Sequence, residues 1–187
     1  NDLKAMNTAN IAALDSVQVQ KLTAEQLSNL TSAQIGAFSA TEIGALSQTQ
    51  VRVLTATQIA GINPTLVAGM ETADISVLSA SAFKGLSSDS LAALSTAQAS
   101  ALNANQINGL TTAQLRSLED ADISALSTTT VRGLSNTVLA KHSASQLAAL
   151  SSTQLLALTE SQIPALPVAA LESGMVASLD SKQVGAL

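Results

Sequence analysis

Residues 23–46 read TAEQLSNL, TSAQIGAF and SATEIGAL, three consecutive eight-residue units of one design. Each opens on Ser or Thr, carries Gln or Glu at position four, an aliphatic residue at position five and Leu or Phe at position eight. The same register runs outward from Asn7 to Leu166, which makes twenty full units. Position five is apolar throughout, from Ile11, Val19 and Leu27 to Ile163, with only Ala99 small. Position eight runs Leu14, Leu22, Leu30, Phe38 and on to Leu166, and His142 alone breaks it. Position one is Ser, Thr, Asn or Asp except at Glu71 and Glu119. Position four is Gln or Glu in most units, as at Gln18, Gln26, Gln34, Gln50, Gln98 and Gln146.

This pairing of positions one and four is the sequence form of a capping box. The first side chain accepts a hydrogen bond from the backbone N–H three residues on, and the Gln or Glu reaches back to the first backbone N–H. A Ser or Thr N-cap has non-helical backbone angles, so the chain is interrupted once per unit. One continuous helix fails for a second reason. At about 100° per residue, eight residues turn the helix by roughly 800°, and the apolar pair drifts by roughly 80° per unit. A β-solenoid fares no better, because the inward positions of a strand recur every second residue, whereas here the apolar spacing is three then five. Ala and Gln also favour helix over strand. The expected fold is an all-α solenoid or superhelix of very short helices, five to six residues each, one per eight-residue repeat. Pro64 suits the first helical position, where its missing N–H costs nothing. Pro164, past the first turn, is awkward.

Helices this short are marginal alone, so each unit depends on its neighbours. The small seventh residue, as at Ala37, Ala45, Gly61, Gly69 and Gly85, is expected to admit the next turn closely, while positions two, three and six face solvent. After Leu166 the register slips. PVAAL (167–171) reads as a unit that lost three residues, with Pro167 in the cap position and a hinge as the alternative reading. Full units ESGMVASL and DSKQVGAL then follow over 172–187. Residues 1–187 are thus read as a single array, and the chain, opening at Asn1 without Met or a signal-like segment, as a fragment of a longer protein.

Composition bounds the partners. The chain is 47% hydrophobic, which is enough to fill a core, but only 1% aromatic and 11% charged, with net charge −5. Eight scattered Lys and Arg do not form a phosphate-binding surface, and Phe38 and Phe83 offer little for bases to stack on, so nucleic acid is excluded. The absence of cysteine removes disulfides and thiolate chemistry. Ser, Thr, Asn and Gln interrupt every apolar run, so no membrane insertion is expected.

No catalytic, cofactor-binding or metal-binding residue is assigned. His142, the single histidine, has no second His or Cys with which to hold zinc, and no GxSxG elbow accompanies the many serines. The acidic groups Glu119, Asp120, Asp122 and Glu71, Asp74 have the chemistry calcium prefers. They also sit at unit starts, where helix N-termini favour negative charge, and no DxDxDG-like loop is present. An enzyme is not expected.

The unit [ST]-x-x-Q-[ILV]-x-[AG]-L, as in SASQLAAL and SSTQLLAL, resembles octapeptide arrays of very large bacterial exported and surface proteins, including adhesin-like and RTX-like polypeptides. The resemblance implies a secreted or cell-surface location and a structural spacer or adhesion role. The alternative is a protein- or peptide-binding α-solenoid, a secreted effector or scaffold. Partners would be flanking repeats of the same chain and, beyond them, a protein or cell-surface ligand.

Overall fold

The computed structural model describes residues 3–171 and 175–187; residues 1–2 and the first three of the unit ESGMVASL lie outside the described part. Among the described residues there are twenty-one α-helices and three 3-10 turns, and no strand. The architecture is the expected all-α solenoid, one short helix per eight residues. Helices run from four residues (Ser32–Ile35) to six (Ser16–Lys21), one residue shorter at the low end than the sequence suggested.

What stops each helix is the extended backbone at the unit boundary. Thr31 and Ser39 have ψ of 164° and 167°, and position eight is extended as well in several units, for example Leu118 at ψ 133°. Reciprocal hydrogen bonds then restart the helix. In the unit 31–38, Thr31 N–H donates to Gln34 Oε1 at 2.8 Å and Gln34 N–H to Thr31 Oγ1 at 3.2 Å. The same pair recurs at Thr23 with Gln26, Ser47 with Gln50 and Ser151 with Gln154. Pro64 takes the first helical position behind its cap Asn63. Pro164 instead leaves its unit a 3-10 turn, Ile163–Ala165, because it has no N–H with which to continue an α-helical ladder.

The core is one continuous strip running from Ile11 to Met175. Positions five and eight supply it, as in Ile35 and Phe38 or Ile107 and Leu110. A fully buried aliphatic of this size contributes about 1.5–3 kcal/mol. Neighbouring turns meet three units on: helix Ala40–Gly44 packs on Pro64–Gly69, and Thr96–Ser100 on Asp120–Ala125. The small seventh residue sits at this contact. A Cβ added at Gly61 would lie 2.0 Å from the backbone oxygen of Ser32, and one at Gly85 would lie 2.3 Å from that of Ala56. Glycine serves close approach here rather than an unusual backbone angle, since the residue occupies ordinary helical space at Gly36, Gly109 and Gly133.

Candidate functional site

The most distinctive side chains of the array are the glutamines at position four. Gln34, Gln50, Gln58, Gln98, Gln106, Gln146, Gln154 and Gln162 are buried, although Gln is usually a surface residue. Each amide has two tasks. Its oxygen accepts from the N–H of its own unit's first residue, and its Nε2 donates to backbone carbonyls four units earlier. Gln58 donates to Leu27 O at 2.8 Å and Leu30 O at 2.9 Å; Gln106 donates to Ile75 O at 2.7 Å and Leu78 O at 3.0 Å. Those acceptors are positions five and eight of the earlier unit, carbonyls at the C-terminal end of its helix; the position-five carbonyl also accepts from its own unit's position eight, as Leu27 O does from Leu30 N–H at 3.1 Å. A superhelical turn therefore takes between three and four units, close to the 28-residue separation that recurs in these bonds. Gln18 and Gln26, whose units belong to the first turn, are exposed.

Where position four is not Gln, it is still buried from Leu66 onward, while Asn10 is exposed and Glu42 half-buried. Leu66, Ala82 and Val138 are apolar there, while Ser90 donates to Ile62 O at 2.8 Å and Thr130 to Leu102 O at 2.9 Å. The sequence reading assigned these positions only the capping task. Leu66, Ala82 and Val138 in a column otherwise polar were the signal that the column faces inward.

The acidic groups divide in the same way. Asp74 and Asp122 occupy position four and are 3% and 2% exposed, whereas Glu71, Glu119 and Asp120 are exposed. The carboxylates of each group thus diverge, one inward and the others outward. Asp74 Oδ2 accepts from Glu71 N–H at 3.2 Å, and Asp122 Oδ2 from Glu119 N–H at 3.1 Å. Burial pushes both carboxyls above the ordinary range; that backbone hydrogen bond pulls against it, and the adjacent Glu charge adds to the rise. Among the described residues, no three His, Asp or Glu side chains are placed to hold one metal ion.

His142 stands in the position-eight ladder and is 3% exposed. Its Nδ1 lies 2.9 Å from Val138 O, so the neutral ring carries its proton there, and Nε2 has no hydrogen-bond partner. Burial lowers its pKa, with the bond to Val138 opposing. A general base needs a hydroxyl or water within hydrogen-bond reach, and Nε2 has neither a hydroxyl nor a carboxylate bonded to it.

Among the open recesses bordered by described residues, two are formed mainly by polar side chains. One, of about 450 Å³, is bordered by Arg132, Thr159, Glu160, Asp180 and Lys182 near the C-terminal end. The other, of about 400 Å³, is bordered by Asn103, Asn105, Thr129 and Gly133. No helix among the described residues is long and apolar enough to cross a membrane.

With this geometry in place, comparison with protein families matches the ALTTAQ repeat over residues 1–32 and 67–104. Over those segments the chain is similar to that repeat, and the whole is an octapeptide-like array. No curated protein matches the chain.

Proposed function

We propose that this array is a structural spacer or adhesion segment of a secreted or cell-surface bacterial repeat protein, acting without catalysis. The observation that carries the reading is the single core running without a break from Ile11 to Met175 beneath a surface of short polar caps. A structure whose units pack on those three places away transmits position along its axis, and its length scales with the number of units. Helices packed 8–10 Å apart in roughly six turns give a particle on the order of 50–60 Å long. The resemblance of the unit to arrays in large exported proteins supports the location. Small-angle scattering tests the shape. A radius of gyration clearly above the ~16 Å of a compact chain of this length is expected, and a value at ~16 Å overturns the reading.

A second reading, a peptide-binding solenoid, is favoured by the recess that sets Arg132 and Lys182 beside Glu160 and Asp180. Recovery of one stoichiometric partner, lost on Arg132→Glu with Lys182→Glu, would place this reading first.

A further inference from the structure

The glutamine stitches are not evenly spread. Over the described turns, Gln34, Gln50 and Gln58 tie units within residues 3–62, with the half-buried Glu42 between them lacking an amide. The four units that follow carry Leu66, Asp74, Ala82 and Ser90 at position four. By the register of their neighbours these stand over the carbonyl pairs from Ile35 to Ile62. Of the four, Ser90 makes the buried bond across, to Ile62 O. Gln98, Gln106 and Gln114 then bind residues 95–118 to carbonyls between Val67 and Leu86. Asp122, Thr130 and Val138 interrupt again, standing over carbonyls from Leu91 to Leu110, with Thr130 reaching Leu102 O. Gln146, Gln154 and Gln162 resume the stitching.

The interrupted turns share a second property. Gly69 and Gly85 at the first interruption and Gly133 at the second approach Ala40, Ala56 and Ala104 so closely that an added Cβ would lie 2.4, 2.3 and 2.7 Å from their atoms. Close approach is not confined to these turns, since a Cβ at Gly61, in the unit stitched by Gln58, would lie 2.0 Å from Ser32 O; at the interrupted turns no glutamine stitch accompanies it. These interfaces rest on contact between backbones, which weakens steeply with separation, where the stitched interfaces rest on pairs of buried amide hydrogen bonds.

We infer that residues 63–118 form one cooperative block of about two turns, parted from its neighbours by seams after Ile62 and after Leu118 that open before the block itself does. The seams are unequal. The second is crossed at its far edge by Gln146, which donates to Leu115 O at 2.8 Å and Leu118 O at 2.7 Å, and Asn108 adds exposed bonds to Gly133 O at 3.0 Å and from Ser135 N–H at 2.9 Å, while Arg116 lies 3.4 Å from Lys141 O. At the first, Ser90 makes the cross-seam bond. The seam after Ile62 opens first. A spacer and a binding solenoid would share this behaviour equally, so the inference stands apart from the choice between them.

Hydrogen exchange of the full chain in low denaturant reads this directly, because cooperative units exchange with a common opening constant. Amides of 63–118 are expected to share one opening constant, with a step of about tenfold in protection between the helices ending at Ile59 and those beginning at Pro64. A profile that declines smoothly from the middle of the chain to both ends overturns the inference. Gln106→Leu, with the apolar residue that Leu66 already shows to be accommodated at position four, should lower protection across 63–118 and leave 7–62 unchanged. Uniform loss along the whole chain would overturn it too. Asn108→Ala should enlarge the second seam's step without bringing it to that of the first, because the bonds of Gln146 and Thr130 remain; a second seam that then opens before the first would overturn the ranking.

Discussion

Two successive turns of this solenoid, residues 95–118 and residues 119–142, differ most in the column at position four. The first holds Gln98, Gln106 and Gln114 at position four; the second holds Asp122, Thr130 and Val138. Both bury that column. In the first, each inward amide meets its own cap and two carbonyls of the turn beneath, so polar burial is matched by hydrogen bonds. In the second, one hydroxyl reaches across, one carboxylate sits where an amide donor sits elsewhere, and one position is plain hydrocarbon. The buried ladder at positions five and eight runs through both, with Ala99 its small member in the first and His142 its polar member in the second. Hydrophobic burial therefore makes the array fold, and position four decides how firmly one turn grips the next.

The sharpest way to break that comparison is to strike what the two turns share. Ile107→Asp places a charge at a site with no exposure and should cost more than about 4 kcal/mol, collapsing the cooperative thermal transition. A transition kept within a few degrees of the original would remove the ladder from its central place. Next come the glycines. Gly85→Val must push Ala56 away and should cost about 1–3 kcal/mol. Gly109→Ala meets its nearest atom at an ordinary 3.4 Å and should be neutral or stabilising by about 0.4–1 kcal/mol. Equal effects in denaturant melts would show that close approach is not what calls for glycine at Gly85.

Gln106→Leu removes two buried donors from the stitched turn and should cost about 1–3 kcal/mol through the carbonyls left unpaired. Val138→Leu, the matching change in the other turn, should stay under about 1.5 kcal/mol. Smallest are the effects of pH. Burial holds the His142 pKa below 6.5, so the unfolded chain takes up that proton first, and stability falls as pH drops through about 6.5. His142→Leu should raise Tm and remove that slope. Asp122 has the opposite sign. Its pKa is raised above 3.8 in the folded chain, so its contribution is fullest below that value and is lost as pH rises through the folded pKa. Asp122→Asn should accordingly raise Tm at neutral pH and change little at pH near 4; a reversed pattern would mean that the carboxylate has a donor partner.

Much of this was legible in the residues. The cap at position one and the aliphatics at five and eight give the helix, its length and its end, because those are local matters of backbone angle and burial. The place of Pro64 and the need for small residues at position seven were legible for the same reason. The pitch was not. An eight-residue period says that units are equivalent, but the angle between them depends on extended backbone at positions eight and one, which many sequences adopt alike. The inward turn of position four stayed hidden because Gln satisfies the capping pattern equally well from the surface. The divergence of Glu119 and Asp122 follows from that same rotation and was hidden with it.

The register slip after Leu166 has a consequence of its own. Gln183 donates to Leu155 O and Leu158 O across separations of 28 and 25 residues, where Gln146 finds the equivalent pair at 31 and 28. Three residues have gone from the intervening turn, and the bond still lands on the same two atoms. A shortfall of three residues is thus absorbed within one turn, and the joint between turns keeps its two acceptors.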